Sequence, residues 1–257
     1  MQVEVLQNVT MQEVRVSEWL RRASVLLDRL ESTQSAQIQE AAASAVATIR
    51  GGGLIHAGGT GHSTLLALES FYRAGGLAAA SPIWGLDLFP PHAARASTQE
   101  ERDPVQGRAA IERAGVRAGD TVFIASQSGI NGAPVEMALA SVERGATVVA
   151  ISSRLHAAKV TSRHPSGKHL FDAANIVIDT GAPYGDALLE RGDGKAAYAP
   201  VSSLLTIAVW SLVLEGVVET LDAAGEAAPI WKSSNAPGGD EWNEGMLNAY
   251  APRVRAL

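Results

Sequence analysis

The spacing of hydrophobic residues along the chain separates predicted helices from predicted strands. Across residues 11–50, apolar positions such as Leu20, Leu27 and Leu30 recur at intervals typical of helices. We therefore predict one long helix or two shorter helices in this region. Residues 201–224, which contain the run "SSLLTIAVWSLVLEGVVETL", form the clearest predicted helix of the chain.

Short apolar runs of the kind expected for buried strands occupy the middle of the chain. They are "GLIHA", "LAAASPIW", "DTVFIAS", "ATVVAIS" and "NIVIDT", and turn residues and helical stretches follow them. This alternation predicts an α/β fold in which helices cover both faces of a parallel sheet. Residues 85–103, with Pro90, Pro91 and His92, are predicted to form a long irregular segment.

Polar loops rich in glycine follow the first and third predicted strands, with the sequences "HAGGTGHST" and "SQSGIN". If these strands flank the point where the strand order reverses, both loops face one crevice. Backbone amides near the glycines, together with the hydroxyls of Ser63, Ser126 and Ser128, would suit a phosphate group. Such residues also end strands and cap helices, so a single loop would be weak evidence, but two in equivalent places favour a binding site.

Other ligand classes fit the sequence less well. The segment "GGTGHS" lacks the third glycine of a dinucleotide fingerprint, and no Walker loop is present. With 21 basic and 27 acidic residues the net charge is -6, and no basic block predicts nucleic-acid binding. The longest apolar run is interrupted by Ser211 and Glu215, so we expect a soluble, cytoplasmic protein with no membrane partner.

The loop "SQSGIN" resembles the serine-rich loop of sugar isomerase (SIS) domains, and "GGTGHS" and "VVAISS" extend the likeness over about residues 41–224. The segments "HPSGKHLFDAANIVIDTGAPYGDA" and "SSNAPGGDEWN" are similar to a branch of stand-alone SIS proteins related to phosphoheptose isomerase. The resemblance implies a three-layer, flavodoxin-like, doubly wound sheet of five parallel strands. It places a phosphosugar-binding SIS domain at 51–224, between an N-terminal helical region (1–50) and a C-terminal arm (225–257). It also implies a homodimer or homotetramer with sites near the subunit interfaces.

The same resemblance assigns the candidate site residues. The phosphate-binding residues it implies are Gly61, Ser63, Ser126, Ser128, Gly129 and Asn131. Glu69 lies on the helix that corresponds to the one carrying the acid/base glutamate of phosphoheptose isomerase, although a structural pairing with Arg73 is an alternative. The last-helix histidine of that enzyme has no counterpart in "PVSSLLTIAVWSLVLEGVVETL".

An aldose–ketose isomerase that works through an enediol needs both a base and an acid, and imidazoles are suited to such roles. His62 ranks first because it lies in the first glycine loop, and His164 in "HPSGK" ranks second because it follows the fourth strand. His56 lies within a strand and is predicted to be a core residue. His156 and His169 have no motif that indicates a role.

The sequence therefore favours a phosphosugar-binding protein, and most strongly an isomerase acting on a sugar phosphate. The alternatives are another enzyme of amino- or acyl-sugar phosphates (a deaminase, lyase or deglycase) and a non-catalytic sugar-phosphate sensor. No HExxH motif is present, and we predict neither a metal nor another cofactor. The charged cluster "TQEER" could bring Glu101 or Arg102 over a ligand, although such clusters in loops are usually solvated.

Overall fold

The chain folds around a parallel sheet of five strands in the order β2-β1-β3-β4-β5. The computed structural model describes residues 17–85, 90–91 and 93–257, so residues 11–16 of the predicted helical region and His92 lie outside the described residues. The strands are β1 (Ile55–Gly59), β2 (Ala80–Ile83), β3 (Thr121–Ala125), β4 (Thr147–Ser152) and β5 (Ile176–Asp179). All four neighbouring pairs are parallel, which confirms the predicted doubly wound fold.

Helices cover both faces of this sheet. They are α1 (Glu18–Arg50), α2 (Leu65–Ser70), α3 (Ala94–Glu100), α4 (Pro104–Ala114), α5 (Gly132–Glu143), α6 (Arg154–Ala157), α7 (Ser202–Ala223) and α8 (Gly239–Tyr250). Of the two arrangements predicted for the first region, the described part is a single helix, α1.

Helix α3 corrects the prediction that residues 85–103 are irregular. Its sequence "ARASTQE" has no apolar period, and Ser97 is its one buried residue. Helix α4 follows at Pro104, where the Asp103 carboxylate accepts a hydrogen bond of 2.9 Å from the amide of Val105. A proline in the first turn and an aspartate cap are typical of helix starts, and they fix the direction in which the chain leaves α3.

The hydrophobic core has two layers, one on each face of the sheet. Helices α1, α2 and α7 contribute buried side chains to the first layer, and α4 and α5 contribute to the second. Phe123 of β3 packs edge-to-face on Trp210 of α7 with ring centroids 5.4 Å apart. By length and composition α7 could cross a membrane, but its buried residues, such as Leu205 and Val209, belong to this core.

The C-terminal residues lie along the body of the domain. Leu77 forms an antiparallel bridge with Ile230, and the buried Trp231 packs edge-to-face on Tyr72 at 4.9 Å. Further on, the Arg253 guanidinium reaches Asp120 at 3.2 Å, at the start of β3. Asp120 also lies 3.2 Å from Nε2 of His56, which is fully buried, as predicted for a core histidine.

A short antiparallel hairpin, β6 (Ala187–Leu189) and β7 (Tyr198–Pro200), precedes α7 and was not predicted. Each of its strands has three residues, too few for a pattern of alternating polarity to stand out in the sequence.

Candidate functional site

The two polar glycine loops begin side by side at the carboxyl edge of the sheet. Gly59, the last residue of β1, pairs in register with Ala125, the last residue of β3. Since β1 lies between β2 and β3, the strand order reverses here, at the place where open α/β sheets bind ligands. Glycine is needed at position 59 because a Cβ atom would lie 2.5 Å from the Ala125 carbonyl oxygen and 2.8 Å from the Cβ of Ser63.

The second loop, residues 126–131, is held in a fixed shape before α5 begins. The Ser126 hydroxyl accepts a hydrogen bond of 3.3 Å from the amide of Gly129. Gly129 has a φ of +64°, and a Cβ atom there would lie 2.9 Å from the Ser152 hydroxyl. A side chain at this position would therefore strain the backbone and crowd β4.

Gln127, between the two serines of this loop, is anchored to neighbouring elements. Its Oε1 accepts a hydrogen bond of 2.7 Å from Thr180, and its Nε2 donates one of 3.1 Å to Thr206 on α7. These contacts fix the loop against both β5 and α7.

The loops border a cavity of about 380 Å³, with α3 and the start of α7 completing its wall. Volumes of about 300–1,000 Å³ are usual for small-molecule sites. Six of the residues singled out from the sequence line this one cavity: Gly61, His62, Ser63, Ser126, Ser128 and Asn131. Gly129 does not line it, but shapes the loop that does. Among the described lining residues there is no lysine or arginine, so the donors that face a ligand are hydroxyls, amides and imidazoles.

Glu101 supplies the one carboxylate among the described lining residues. It bridges the two loops, because its Oε2 accepts a hydrogen bond of 3.2 Å from Thr60 and its Oε1 accepts one of 2.8 Å from the Asn131 amide. The orientation of that amide is fixed in turn, since its Oδ1 accepts a hydrogen bond of 2.6 Å from Arg163. A chain of polar contacts therefore runs from Arg163 through Asn131 and Glu101 to Thr60.

The surroundings of Glu101 favour the protonated form more than water does. Burial raises the pKa of the Glu101 carboxyl, and the hydrogen bond from Thr60 and the positive charges of Arg102 and Arg163 offset this effect only in part. A carboxylate with a raised pKa is a better proton acceptor near neutral pH than an ordinary surface glutamate.

Two imidazoles, those of His62 and His156, line the same cavity. The His156 ring packs edge-on against Tyr184 at 5.0 Å, and its Nδ1 is shielded from solvent without a hydrogen-bond partner among the described residues. Burial lowers the pKa of His156, and the nearby carboxylate of Asp186 opposes the shift. The neutral imidazole is therefore favoured, and it can both donate and accept a proton.

Asp186 lies close to the site but has a structural role. Its carboxylate accepts hydrogen bonds from the amides of Val201 (3.1 Å) and Ser202 (2.7 Å) and from the Ser202 hydroxyl (2.6 Å). It thus caps the start of α7, the end at which Ser202 lines the cavity.

Two residues predicted to be catalytic lie elsewhere in the chain. The Glu69 carboxylate on α2 forms an ion pair with Arg73, and it does not line the cavity. Nε2 of His164 lies 3.0 Å from Glu136, and its Nδ1 lies 2.8 Å from the Ser166 hydroxyl, in a buried network on the α5 side of the sheet. The geometry within one chain therefore does not support either residue as a catalyst, and both assignments stay predictions.

The sequence contained a usable signal for one of the two cavity residues that were not selected as candidate catalysts. His156 follows β4 by four positions, at the carboxyl edge of the sheet. His164 was selected because it follows the same strand, and this reason applied equally to His156. Glu101 belongs to the cluster "TQEER", but nothing in its spacing shows that α3 directs it at the loops.

Comparisons with known proteins agree with this architecture. The SIS-domain family model matches residues 18–153, which is more than half of the chain. The chain belongs to the SIS-domain family. A UPF0309 protein of Listeria monocytogenes serotype 4b is 35% identical to this SIS protein over 232 residues, or 90% of this chain and 94% of that protein. A UPF0309 protein of Caldanaerobacter subterraneus subsp. tengcongensis is 36% identical over 234 residues, which are 90% of this chain and 95% of that protein.

Solved structures show the same fold. A phosphoheptose isomerase from Neisseria gonorrhoeae superposes with a TM-score of 0.51 at 18% identity, covering 79% of this SIS chain and 95% of its own. A phosphoheptose isomerase from Francisella tularensis gives a TM-score of 0.51 at 12% identity, and the superposition covers 78% of this SIS chain and 95% of the isomerase. At these identities the likeness establishes the shared fold and leaves the activity to the residues of the site.

Proposed function

We propose that the cavity binds a sugar phosphate and that the protein interconverts its aldose and ketose forms by proton transfer. The observation that carries this proposal is the meeting, in one cavity, of hydroxyl and amide donors from both glycine loops with a half-buried carboxylate and two imidazoles. The donors suit a phosphate, and the carboxylate with an imidazole suits transfer of a proton next to a carbonyl group.

The phosphate belongs at the loop of residues 126–131. The hydroxyls of Ser126 and Ser128 line the cavity there, and Asn131 stands at the start of the 12-residue helix α5. The amino end of a helix favours anions, because its backbone amides and its dipole both present positive charge. The phosphate would be bound by neutral donors, so the site needs no lysine or arginine in the cavity wall. Glu101 therefore has no cationic partner among the described residues of that wall.

Isomerase activity also fits the family and the fold, since both phosphoheptose isomerases named above share that fold. The missing histidine of the last helix is no obstacle to acid/base chemistry. Helix α7 contains no histidine, but His62 and His156 bring imidazoles to the cavity from the loop after β1 and from α6.

A binding screen followed by isotope exchange tests the proposal. The wild-type protein would be titrated calorimetrically with aldose and ketose phosphates, the corresponding unphosphorylated sugars and inorganic phosphate. We expect a subset of the sugar phosphates to bind, the unphosphorylated sugars to bind far more weakly, and the bound compounds to acquire deuterium from D₂O at the first or second carbon. Binding without exchange would indicate a sensor, and failure of every sugar phosphate to bind would refute the proposal.

A further inference from the structure

An enediol reaction needs a group that removes a proton from carbon, and the cavity offers one carboxylate among the described lining residues. We propose that Glu101 is this proton-transfer group. The inference rests on the proposed function and assigns its central step to the residue directly after α3, which the family resemblance did not indicate. The observations that support it are the position, the fixation and the surroundings of the side chain.

The backbone holds Glu101 in place. Its carbonyl oxygen accepts a hydrogen bond of 3.0 Å from the amide of Ala133, in the first turn of α5. Gly132 permits this contact, because a Cβ atom there would collide with the carbonyl oxygen of Arg102 and lie 2.8 Å from Cδ of Pro104. The residues that follow α3 are therefore packed directly on the start of α5.

The carboxylate is aimed between the loops rather than into solvent. Thr60 and Asn131 each donate one hydrogen bond to it, one from each loop. Both partners are neutral, so neither removes the basicity of the carboxylate as an arginine partner would. Arg163 donates its hydrogen bond to Asn131 and orients the amide that donates to the carboxylate, while its positive charge offsets part of the rise in the pKa of Glu101.

Glu69, the carboxylate that the family resemblance favours, has the opposite surroundings. It forms an ion pair with Arg73 one turn later on the same segment and lies outside the cavity wall. The Glu69 carboxylate is therefore engaged by a cation and is not among the described groups that face the cavity.

The reaction balances without a redox partner. The Glu101 carboxylate takes the proton from C2 of the aldose, and the electron pair of the C2–H bond forms the C1=C2 bond. The electron pair of the C1 carbonyl moves to O1, which takes a proton from an imidazole of the cavity. The enediol then loses the proton of O2 to that imidazole, the C2 carbonyl forms, and Glu101 returns its proton to C1 to give the ketose.

The experiment compares Glu101→Gln with Glu69→Gln and with Glu100→Gln, a neighbouring glutamate of α3 that does not line the cavity. The substrate is the sugar phosphate that the wild type binds most tightly, and the measurements are its dissociation constant and the rate of deuterium incorporation from D₂O. We expect Glu101→Gln to slow exchange by about 100-fold or more and to change affinity less than about fivefold, since glutamine keeps the shape and hydrogen bonds of the side chain. The two other variants should exchange at near wild-type rates.

The pH profile of kcat/KM provides a readout that a structural role would not change. A protonated Glu101 cannot accept a proton, so wild-type activity should fall as the pH falls through the raised pKa of this carboxyl. The other charged or titratable groups around Glu101 are Arg102, Arg163, His62 and His156. The fall in activity at low pH is therefore assigned to Glu101 only if it disappears from the residual activity of Glu101→Gln.

Near wild-type exchange in Glu101→Gln would overturn the inference, and so would a selective loss of exchange in Glu69→Gln. If Glu101→Gln fails to fold, Glu101→Asp replaces it. This change retracts the carboxylate and should slow exchange by about tenfold or more, and an unchanged rate would overturn the inference equally. These outcomes differ from failure of the proposed function, in which the wild type itself binds no sugar phosphate or exchanges no proton.

Discussion

In the proposed site, individual hydroxyl groups of the 126–131 loop contribute to phosphate binding. We expect the double substitution Ser126→Ala with Ser128→Ala to weaken sugar-phosphate binding by about 1–3 kcal/mol in total, which corresponds to about 5-fold to 150-fold in the dissociation constant. The physical reason is the loss of two donors to a charged group. Calorimetric titration of the folded variant checks this.

The matched control for this double variant is Ser32→Ala, which removes an exposed hydroxyl of α1 that does not line the cavity. It should bind like the wild type. An unchanged affinity in the double variant would remove the loop from the site.

At the residue scale, the sequence identified the loops better than the acid/base groups. Ser63 and Ser126 were singled out because they follow strands closely, and a strand end has a known place in a parallel sheet, whereas Gly61 and Asn131 came from the family resemblance. Glu101 could not be found in this way. Its placement depends on contacts between the residues after α3 and the start of α5, which lie about thirty positions apart and leave no local pattern.

The contact between residues 101–104, directly after α3, and the start of α5 is the element-scale feature on which the position of Glu101 depends. We expect Gly132→Ala to push the end of α3 away from the loops, because the new Cβ atom would collide with the carbonyl oxygen of Arg102. Overpacking of this kind costs about 1–3 kcal/mol of folding stability. Thermal unfolding measures that cost, and sugar-phosphate turnover measures the displacement.

Gly245→Ala in α8 is a suitable control, since no atom lies within 4 Å of its added Cβ atom. Alanine is the better helix former, so this variant should be as stable as the wild type or more so. Equal stability and turnover in Gly132→Ala and Gly245→Ala would show that the contact at Gly132 tolerates the added Cβ atom.

At the element scale, the strands and the longest helices were predictable and the short elements were not. The five strands and α7 consist mainly of apolar residues whose run lengths and spacing are typical of strands or of a helix. Their side chains form much of the core. Helix α3 has seven residues, and one of them is buried, so its sequence reads as a loop. Its helical structure depends on the neighbouring elements rather than on its own polarity pattern.

The acid stability of the whole molecule depends on Asp120, which links β1, β3 and the C-terminal arm. Burial raises the pKa of this carboxyl, but hydrogen bonds from His56 and from the amides of Leu54 and Arg117 outweigh burial and lower it to about 2. The ordinary value is 3.8, so the charged form contributes about 2 kcal/mol of stability above pH 4, and this contribution is lost as the pH falls from about 4 to about 2.

We therefore expect Asp120→Asn to lower the free energy of unfolding at pH 7 by about 3–5 kcal/mol, as when one partner of a buried ion pair is removed. The difference from the wild type should narrow as the pH falls below 4. Denaturant titrations at a series of pH values measure it, with the exposed Asp222→Asn as control. A difference that stays constant from pH 7 to pH 2 would contradict the assignment.

The assembly of the molecule stays a prediction from the family resemblance. Leu20 and Val25 on α1 and Leu155 and Tyr184 beside the cavity are exposed, and large exposed apolar side chains are often covered in oligomers. We expect sedimentation at micromolar concentration to give at least twice the chain mass of 26.8 kDa. A monomer alone under these conditions would contradict the predicted homodimer or homotetramer.

A crystal structure with the sugar phosphate that binds most tightly in the screen tests the central claim most directly. The account predicts the phosphate oxygens within hydrogen-bond distance of the Ser126 and Ser128 hydroxyls, and the first two carbons of the sugar within reach of the Glu101 carboxylate. A phosphate bound away from residues 126–131, for example beside Arg117 and Arg253 at the opposite edge of the sheet, would contradict it.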